Sequence, residues 1–391
     1  MQFDHRFDAP SIRDLQLAAA GVKWTKHPGA LGAFVAEMDF GPAPVITEAL
    51  HKAVDAGIFG YLPAPWVERM KVATADWSKR RYGWEIDPDF VHQMPDVISV
   101  MMVAIEYFSA PQSAVVVPTP AYMPFLSVPP QLGREVIQVP MIQDGQTYRF
   151  DLDGLAQAFA KGGGLLILCN PSNPLGVSFN EEELRGVSEV VEAAGARVFA
   201  DEIHAPMIYG GRRHVPYASI SDIAANHSIT GVSASKGWNL PGLKCAQAIV
   251  TNHADQAKWE TLPTKATRGT ANLGVVAHTV AYEEGEPWLD EVLAYLQSAC
   301  QYFVDELAIH APAAKMRVPD ATYIGWIDLR DCGLGDAPAA ALAEKVNLYL
   351  NEGTDLGDGL EGFVRIAMAT PRPVLGEIAR RIGMATRNES L

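Results

Sequence analysis

The chain has 391 residues and an acidic composition. Its formal net charge of −15 and its pI near 5.1 disfavour nucleic acid and anionic membranes as partners, because both are polyanions. Hydrophobic residues make up 48% of the sequence, so the chain can bury a large core and is long enough for two domains.

The cysteines and the hydrophobic runs limit the class of protein further. The four cysteines, Cys169, Cys245, Cys300 and Cys332, stand far apart and show no metal-ligand spacing, so we expect reduced thiols and no metal site. Residues 1–14 mix acids, bases and a proline where a signal peptide needs a basic start and an apolar core. No run approaches the ~20 apolar residues of a membrane-spanning helix. We therefore expect a cytoplasmic protein.

Taken in chain order, the sequence begins with an irregular segment and continues as alternating strands and helices. Prolines and glycines punctuate the first 40 residues, with a short strand predicted at Ala33–Ala36. The elements predicted next are helix Val45–Ala56, helix Trp66–Tyr82, helix Val100–Phe108, strand Ala114–Val117, strand Glu135–Pro140, helix Asp153–Ala160, strand Gly164–Cys169, helix Glu181–Ala194, strand Val198–Ala200 and, after a loop, a strand that carries Lys236. This alternation predicts an α/β fold with a mostly parallel sheet covered by helices.

The last part of the sequence has a different pattern. Pro287–Leu307 has the periodicity of a long amphipathic helix. Tyr323–Leu329 and Phe363–Ala367 are short runs typical of strands. These elements predict a second, smaller α+β domain, which the long helix joins to the first.

A lysine among small residues is the first candidate for chemistry. Lys236 lies in the stretch Ser-Ala-Ser-Lys-Gly-Trp-Asn-Leu-Pro-Gly, in which Ser233 and Ser235 precede it. Small neighbours let another molecule approach the backbone closely, and a lysine in such a pocket can lose its proton and act as an amine nucleophile. Taken alone, the stretch is equally typical of a glycine-rich surface turn with a solvated lysine.

An acid at the end of a predicted strand favours the chemical interpretation. Asp201 follows Val198–Ala200, and the carboxyl ends of parallel strands are where α/β proteins bind ligands. An acid there, ahead of a candidate Schiff-base lysine, fits a pyridoxal 5′-phosphate site, because this cofactor needs a carboxylate to keep its pyridine nitrogen protonated. Lys236 and Asp201 together therefore predict a pyridoxal phosphate enzyme.

Several motifs resemble those of a known superfamily. Asn173-Pro174-Leu175-Gly176, Asp201-Glu202-Ile203-His204 and Ser233-Ala234-Ser235-Lys236 are similar to ordered motifs of fold type I pyridoxal phosphate enzymes, the aspartate aminotransferase superfamily. Within that superfamily, Asp-Glu-Ile-His, Thr119-Pro120-Ala121-Tyr122 and Glu37-Met38-Asp39-Phe40 most resemble the MalY/PatB branch of cystathionine β-lyases. The similarity extends over nearly the whole chain.

The resemblance implies an architecture and an assembly. It implies a large cofactor-binding domain, residues 45–286, built on a mostly parallel, seven-stranded-type sheet, and a small domain, residues 287–391. The amino-terminal segment, residues 1–44, is implied to pack with the small domain. A homodimer with active sites at its interface is also implied, in which Tyr61 of one chain reaches the cofactor phosphate of the other.

Individual residues acquire expected roles from the same resemblance. Lys236 is implied to carry the cofactor and to remove the substrate α-proton, and Asp201 to keep the pyridine nitrogen protonated. Tyr122 is implied to stack on the pyridine ring and Asn173 to bind its phenolic oxygen, both near the substrate. Arg365 is implied to bind the substrate α-carboxylate, for which a planar bidentate donor is well suited.

The phosphate is expected at the start of a helix. Val97, Ile98 and Ser99 offer main-chain amides there, and the free amides and partial positive charge of a helix start suit a phosphate. Asp96 stands where the family usually has a small residue. An acid beside a phosphate is unfavourable unless it points away, so the geometry of this cradle depends on Asp96.

Further polar residues complete the expected site. Ser233 and Ser235 offer hydroxyls beside the phosphate, and Lys244 stands where the family often has an arginine, so it supplies the charge without the bidentate fork. His204 replaces a tyrosine that commonly binds the phenolic oxygen in the family's transaminases, and it fits either a cofactor contact or a buried structural histidine. Arg372 is a second candidate for the substrate carboxylate.

The resemblance implies a carbon–sulfur β-lyase that converts L-cystathionine or a related cysteine S-conjugate to a thiol, pyruvate and ammonia. An aminotransferase of a hydrophobic or aromatic amino acid is the alternative, because Lys236, Asp201 and Arg365 serve both reactions. A regulatory protein that binds a transcription factor is a third interpretation, since some members of the branch double as regulators. Only this third function would survive replacement of Lys236 by alanine.

Overall fold

A computed structural model describes residues 4–18, 21–387 and 389 of the chain. Its strands are β1 (Leu31–Gly32), β2 (Val91–Met94), β3 (Ala114–Thr119), β4 (Val136–Pro140), β5 (Ile142–Asp144), β6 (Thr147–Arg149), β7 (Gly163–Cys169), β8 (Arg197–Asp201), β9 (Ser228–Val232), β10 (Ala246–Ile249), β11 (Ile324–Asp328), β12 (Leu348–Tyr349), β13 (Asn351–Glu352) and β14 (Phe363–Ala367). Its α-helices are α1 (Asp4–Asp8), α2 (Ile12–Ala18), α3 (Val22–Thr25), α4 (Pro44–Asp55), α5 (Ala64–Tyr82), α6 (Val97–Tyr107), α7 (Met123–Gln131), α8 (Leu152–Ala160), α9 (Glu181–Ala193), α10 (Asp222–His227), α11 (His253–Glu260), α12 (Thr264–Thr267), α13 (Asn272–Glu284), α14 (Glu286–His310), α15 (Pro338–Val346) and α16 (Arg372–Thr386).

Seven strands form one sheet in the order β2-β10-β9-β8-β7-β3-β4. The pairs from β9 to β4 are parallel, and β10 runs antiparallel to both of its neighbours. The predicted α/β fold with a mostly parallel seven-stranded sheet is therefore confirmed.

Both faces of this sheet are buried, and side chains alternate between them. Val116 and Leu166 belong to a core with residues of α8 and α9, whereas Val115 and Leu165 belong to a second core with residues of α6. Neighbouring residues of a strand point to opposite faces, so a strand covered on both sides must be apolar at every position. This is why the sequence shows continuous apolar runs at these strands.

The carboxyl-terminal part of the chain forms a smaller antiparallel sheet, β11-β14-β13. The long helix α14 packs against α16, and both contribute to the same core as this sheet. The amino-terminal segment adds β1, which pairs in parallel with β12 through Leu31 and Leu348. The domain boundaries at residues 44 and 286 stay predictions.

Two local predictions were wrong. The strand predicted at Ala33–Ala36 is instead the two-residue β1, and residues 33–39 continue as an irregular segment whose main-chain groups bind several different partners. Lys236 does not lie in a strand, because β9 ends at Val232 and a turn follows. That turn is closed by main-chain hydrogen bonds from Trp238 to Ala234 and from Leu240 to Ser235.

Helix α6 begins three residues before its predicted start. The side chain of Asp96 accepts a hydrogen bond from the Ser99 amide at 2.8 Å, which is an N-cap and satisfies one of the free amides of the first turn. Within the described ranges, no helix combines the length and the apolar character that crossing a bilayer requires.

Candidate active site

The predicted site residues meet at the carboxyl end of the central sheet. A cavity of about 230 Å³ lies there. Of the predicted residues, it is lined by Lys236, Asp201, Asn173, Tyr122, His204, Ser233, Ser235, Lys244, Val97 and Ile98. Six of them come from the ends of the neighbouring parallel strands β7, β8 and β9 or from the loops that follow, which explains how residues distant in sequence share one cavity: Asn173, Asp201, His204, Ser233, Ser235 and Lys236.

Asp201 is a buried acid at the last position of β8. It is 4% exposed and lies between Cys169 of β7 and Gly231 of β9. Its Oδ1 accepts the Ile203 amide at 3.0 Å. Burial raises the pKa of Asp201 to about 7, against the smaller lowering effects of the Ile203 amide and of Lys236. A cation bound in this cavity would therefore find a carboxylate that is poorly solvated and strongly attractive.

The amine of Lys236 projects from the turn after β9 into the same cavity. Its Nζ donates a hydrogen bond to the main-chain oxygen of Ala36 at 2.9 Å. Burial lowers the pKa of Lys236 to about 8, and the charge of Arg365 lowers it further, whereas Asp201 acts in the opposite direction. An amine with this pKa is partly neutral near pH 7, and only the neutral form is a nucleophile or a base.

The expected phosphate end of the cavity is organised by Asp96. Its carboxylate accepts the amide and the hydroxyl of Ser99, at 2.8 and 2.7 Å, and forms an ion pair with Lys244 at 2.9 Å. Ser99 is therefore not available as predicted, because its two donors are used within the helix cap. Val97 and Ile98, the first two residues of α6, line the cavity. The acid therefore faces Lys244, the residue expected to supply charge to the phosphate.

The two serines near Lys236 have different environments. The hydroxyl of Ser233 donates to the main-chain oxygen of Cys245 at 2.9 Å and accepts the amide of Ser235 at 3.1 Å. Its proton is thus used to hold the reactive turn against the neighbouring strand. Ser235 lines the cavity and stays the better candidate of the two for a hydroxyl donor.

Two of the predicted residues border the cavity with rings, Tyr122 and His204. Tyr122 stands immediately before α7. Its ring packs edge to face against that of Phe125, with the two ring centroids 5.5 Å apart, and this contact restricts the orientation of the Tyr122 ring. His204 is 2% exposed, and its Nδ1 has no hydrogen-bond partner among the described residues. Burial lowers the pKa of His204 to about 3, so its imidazole is neutral and keeps one nitrogen free to accept a hydrogen bond.

Of the two candidate arginines, Arg365 does not itself line the cavity but contacts Asn173, which does. Arg365 lies in β14, is 2% exposed and donates to Oδ1 of Asn173 at 3.3 Å. Burial lowers the pKa of Arg365 to about 10. Arg372 is directed elsewhere, because its guanidinium forms an ion pair with Asp8 at 2.6 Å.

Comparison with known proteins places this geometry in a family. Residues 35–382 match the family model described as aminotransferase class I and II. The chain belongs to this family. Among its relatives, the cystathionine β-lyase of Corynebacterium glutamicum is 38% identical over 362 residues, which cover 92% of this chain and 95% of the relative. PatB of Bacillus subtilis, named a cystathionine β-lyase, is 34% identical over 382 residues, which cover 95% of this chain and 98% of PatB.

Solved structures agree with this class I and II aminotransferase assignment. A protein of Corynebacterium diphtheriae assigned as a pyridoxal phosphate-dependent β-cystathionase has a TM-score of 0.91 and 36% identity, covering 97% of this chain and 99% of that one. Cystalysin of Treponema denticola, which contains pyridoxal 5′-phosphate, has a TM-score of 0.87 and 26% identity. The match covers 94% of this chain and 96% of cystalysin. The resemblance to the MalY/PatB branch is therefore confirmed.

Tyr61 is another predicted residue that lies outside the cavity of a single chain. Tyr61 is completely exposed, on the turn before α5. The side-chain amide of Asn272, the first residue of α13, donates a hydrogen bond to the main-chain oxygen of Gly60 at 2.7 Å. This hydrogen bond holds the turn against α13. The role of Tyr61 across a dimer interface stays a prediction.

Sequence reasoning missed the groups that cover the cavity from the amino-terminal segment. The main-chain oxygen of Phe34 accepts from Arg365 at 2.9 Å, and that of Ala36 accepts from both Lys236 and the hydroxyl of Tyr323. Main-chain carbonyls carry no residue-type signal, so no motif could have predicted them. The Asn351 side chain, which also binds Arg365, was missed because a lone asparagine at a strand end is unremarkable in a sequence.

Proposed function

We propose that this protein is a pyridoxal phosphate-dependent carbon–sulfur β-lyase. It cleaves L-cystathionine or a related cysteine S-conjugate to a thiol, pyruvate and ammonia. The observation that carries the proposal is the meeting of Lys236 and Asp201 in one buried cavity, in a chain similar over more than nine-tenths of its length to proteins named cystathionine β-lyases.

The groups in the cavity fit pyridoxal 5′-phosphate. Asp201 uses Oδ1 for a main-chain amide, and no hydrogen bond from the described residues reaches its Oδ2, which can accept a pyridine N–H. His204 offers an unpartnered buried nitrogen and Asn173 a side-chain amide near the expected phenolic oxygen. Lys244 and the first turn of α6 offer positive charge and amides for the phosphate. When bound, the cofactor withdraws electrons from the substrate α-carbon.

Residues of the chain then move the proton and hold the substrate. Lys236 takes the α-proton on its Nζ, for which its lowered pKa is suited, because a base is most effective when its pKa lies near the working pH. Asp201 keeps a negative charge against the pyridine nitrogen. Tyr122, which lines the cavity, would pack over the ring of a bound cofactor, and Arg365 binds the α-carboxylate of the substrate. The thiolate then leaves from the β-carbon and takes up a proton, and water hydrolyses the aminoacrylate that remains to pyruvate and ammonia.

The protein loaded with pyridoxal phosphate and given L-cystathionine tests this function. We expect pyruvate without any added keto acid, and no pyruvate from Lys236→Ala. The matched control Lys258→Ala removes a lysine from α11, outside the cavity, and should keep full activity. Turnover that begins only when a keto acid is added would instead identify an aminotransferase.

We also propose a homodimer. Two large aromatic side chains before α5, Phe59 and Tyr61, are 68% and 102% exposed, which is costly in water. Beside them, α4, α5 and α13 enclose a partly apolar depression of about 420 Å³ that includes Trp66 and Val275. A second copy of the chain would cover this surface, and Tyr61 would then lie in the interface between the two chains.

The remaining expectations also stand as proposals. We propose that residues 1–44 act with a small domain, residues 287–391, beside a large domain, residues 45–286. The pairing of β1 with β12 supports this division. We propose a cytoplasmic location, which the free thiols of the four cysteines support, because disulfides are common in oxidising compartments.

A further inference from the structure

Arg365 is a buried cation whose hydrogen-bond acceptors are all neutral. Its Nε and Nη2 donate to Oδ1 of Asn351 at 3.1 and 2.7 Å, and Nη2 also donates to the main-chain oxygen of Phe34 at 2.9 Å. Nη1 donates to Asn173 and contacts the sulfur of Met123. No carboxylate of the described chain forms an ion pair with Arg365, and the exposed acid Asp355 acts on it only through space. Its charge is therefore uncompensated.

Asn351 fixes the plane of this guanidinium. Asn351 of β13 stands directly opposite Arg365 of β14, where the two strands pair in antiparallel register. One side-chain oxygen accepts from two nitrogens on the same edge of the guanidinium, so rotation about the terminal bonds of Arg365 would break both hydrogen bonds. An Asp in place of Asn351 would form a bidentate ion pair with Arg365, since a carboxylate matches two adjacent N–H groups.

The opposite edge of the guanidinium is held weakly. Nη1 has the two longest contacts, 3.3 Å to Oδ1 of Asn173 and 3.7 Å to the sulfur of Met123. A hydrogen bond weakens steeply as it lengthens beyond its usual range. An anion that arrives from the cavity side therefore replaces poor acceptors at Nη1 and leaves the Asn351 contacts intact.

We propose that Asn351 is a positioning residue that orients Arg365 while leaving its positive charge free for the α-carboxylate of the substrate. The proposal rests on the proposed function, in which Arg365 binds that carboxylate. A neutral amide supplies the orientation that an acid would also supply, but it does not compete with the substrate for the charge. The site thereby selects amino acids over amines of the same side chain.

Two substitutions of Asn351 separate orientation from charge. Asn351→Ala removes the acceptor, and we expect KM for L-cystathionine to rise about 10-fold, because a hydrogen bond to a charged group is lost. Asn351→Asp keeps the hydrogen-bond acceptor and neutralises the charge of Arg365. We expect KM for L-cystathionine to rise about 100-fold, because the introduced carboxylate competes with that of the substrate. We expect kcat to change less than about threefold. Asn347→Asp is the matched control, since it adds the same charge four positions earlier, at the end of α15.

Ligand selectivity gives a readout that a purely structural role would not change. The spectral dissociation constants of L-alanine and ethylamine, measured with the pyridoxal-loaded enzyme, report binding with and without a carboxylate. We expect Asn351→Asp to weaken L-alanine about 100-fold and to leave ethylamine within about threefold, whereas Asn347→Asp changes neither.

The outcomes separate this proposal from the proposed function. An Asn351→Asp enzyme whose L-alanine and ethylamine constants change together overturns the proposal, and so does one with an unchanged KM. If Arg365→Gln raises KM strongly while Asn351→Asp does not, the role of Asn351 alone is overturned. If Arg365→Gln also leaves KM unchanged, the assignment of the substrate carboxylate to Arg365 fails, and the proposal fails with it.

Discussion

The Nζ of Lys236 donates a hydrogen bond to the main-chain oxygen of Ala36 at 2.9 Å, across 200 positions of sequence. The hydroxyl of Tyr323 donates to the same oxygen at 3.1 Å. Asn239, in the turn after Lys236, binds both main-chain groups of Met38, accepting its N–H at 3.0 Å and donating to its oxygen at 2.9 Å. The amino-terminal segment is thus held over the cavity by side chains of two distant parts of the chain.

Loosening this segment should weaken substrate binding. Asn239 has φ 58°, so Asn239→Gly keeps the left-handed backbone without strain and removes both hydrogen bonds to Met38. We expect a loss of about 1 to 3 kcal/mol of stability. We also expect a severalfold rise in KM for L-cystathionine, because the Phe34 and Ala36 oxygens on this segment contact Arg365 and Lys236.

Asn252→Gly is the control for this variant. Asn252 caps α11 through its side chain, outside the cavity, so its replacement should lower stability without raising KM. Steady-state kinetics and thermal unfolding of the two variants test this directly. A KM that rises equally in both would contradict the role given to the segment.

Replacement of Asp201 should stabilise the cofactor-free protein while it removes activity. Burial raises the pKa of Asp201 from 3.8 to about 7, so the folded chain retains a proton that the unfolded chain releases between about pH 4 and pH 7. Asp201 therefore lowers stability as pH rises through this window. Asp201→Asn should be more stable than the wild type at pH 8 by up to about 4 kcal/mol, with no difference below about pH 4.

Unfolding of the cofactor-free proteins at several pH values measures this effect. Pyruvate release should fall at least about 100-fold in the same variant, because the charge opposite the pyridine nitrogen is lost. A variant that is less stable at pH 8, or that keeps normal activity, would show that the Asp201 carboxylate has another role.

The ion pair between Asp96 and Lys244 should set the affinity for the cofactor phosphate. Lys244→Ala should weaken binding of pyridoxal phosphate about 10-fold, because a charge-assisted contact is lost. Asp96→Asn should tighten it severalfold, since its amide oxygen can still cap α6 while the repulsive charge disappears. Titration of the cofactor into the cofactor-free proteins distinguishes the two. Changes of the same sign in both variants would argue against a phosphate between these residues and α6.

Mixing two inactive variants tests the shared active site. If Tyr61 completes the partner's cavity, Tyr61→Ala and Lys236→Ala chains form a mixed dimer in which one of the two sites has neither substitution. Random re-association should then restore about a quarter of the wild-type activity, because half of the dimers are mixed. No recovery, although light scattering shows dimers that exchange subunits, would mean that Tyr61 acts within its own chain.

The sequence predicted the strands and the polar residues at their carboxyl ends because these features depend on local pattern. Lys236, Asp201 and Asn173 meet in one cavity, as expected from their motifs. The start of α6 was misplaced because its cap is a side-chain contact of Asp96. In that cap, Asp96 accepts hydrogen bonds from both the amide and the hydroxyl of Ser99, so these donors are not available to a phosphate.

Contacts made by main-chain atoms could not be predicted. Phe34 and Ala36 contribute carbonyl oxygens, so their side chains give no sign of the contacts to Arg365 and Lys236. Arg372 was a second candidate after Arg365 for the substrate carboxylate, and only the fold shows that Arg372 reaches Asp8. Long-range pairing of this kind depends on how the amino-terminal segment and the small antiparallel sheet come together.

The ratio of products over many turnovers distinguishes a β-lyase from an aminotransferase. The pyridoxal-loaded enzyme should release pyruvate and free thiol from L-cystathionine in equal amounts, at a rate that does not change when a keto acid is added. Release of both products far beyond one equivalent per chain, without keto acid, would establish β-elimination. Absence of pyruvate and thiol, with conversion of L-cystathionine to its own keto acid that stops at about one equivalent per chain and resumes only with an added keto acid, would contradict β-elimination, because transamination leaves the carbon–sulfur bond intact.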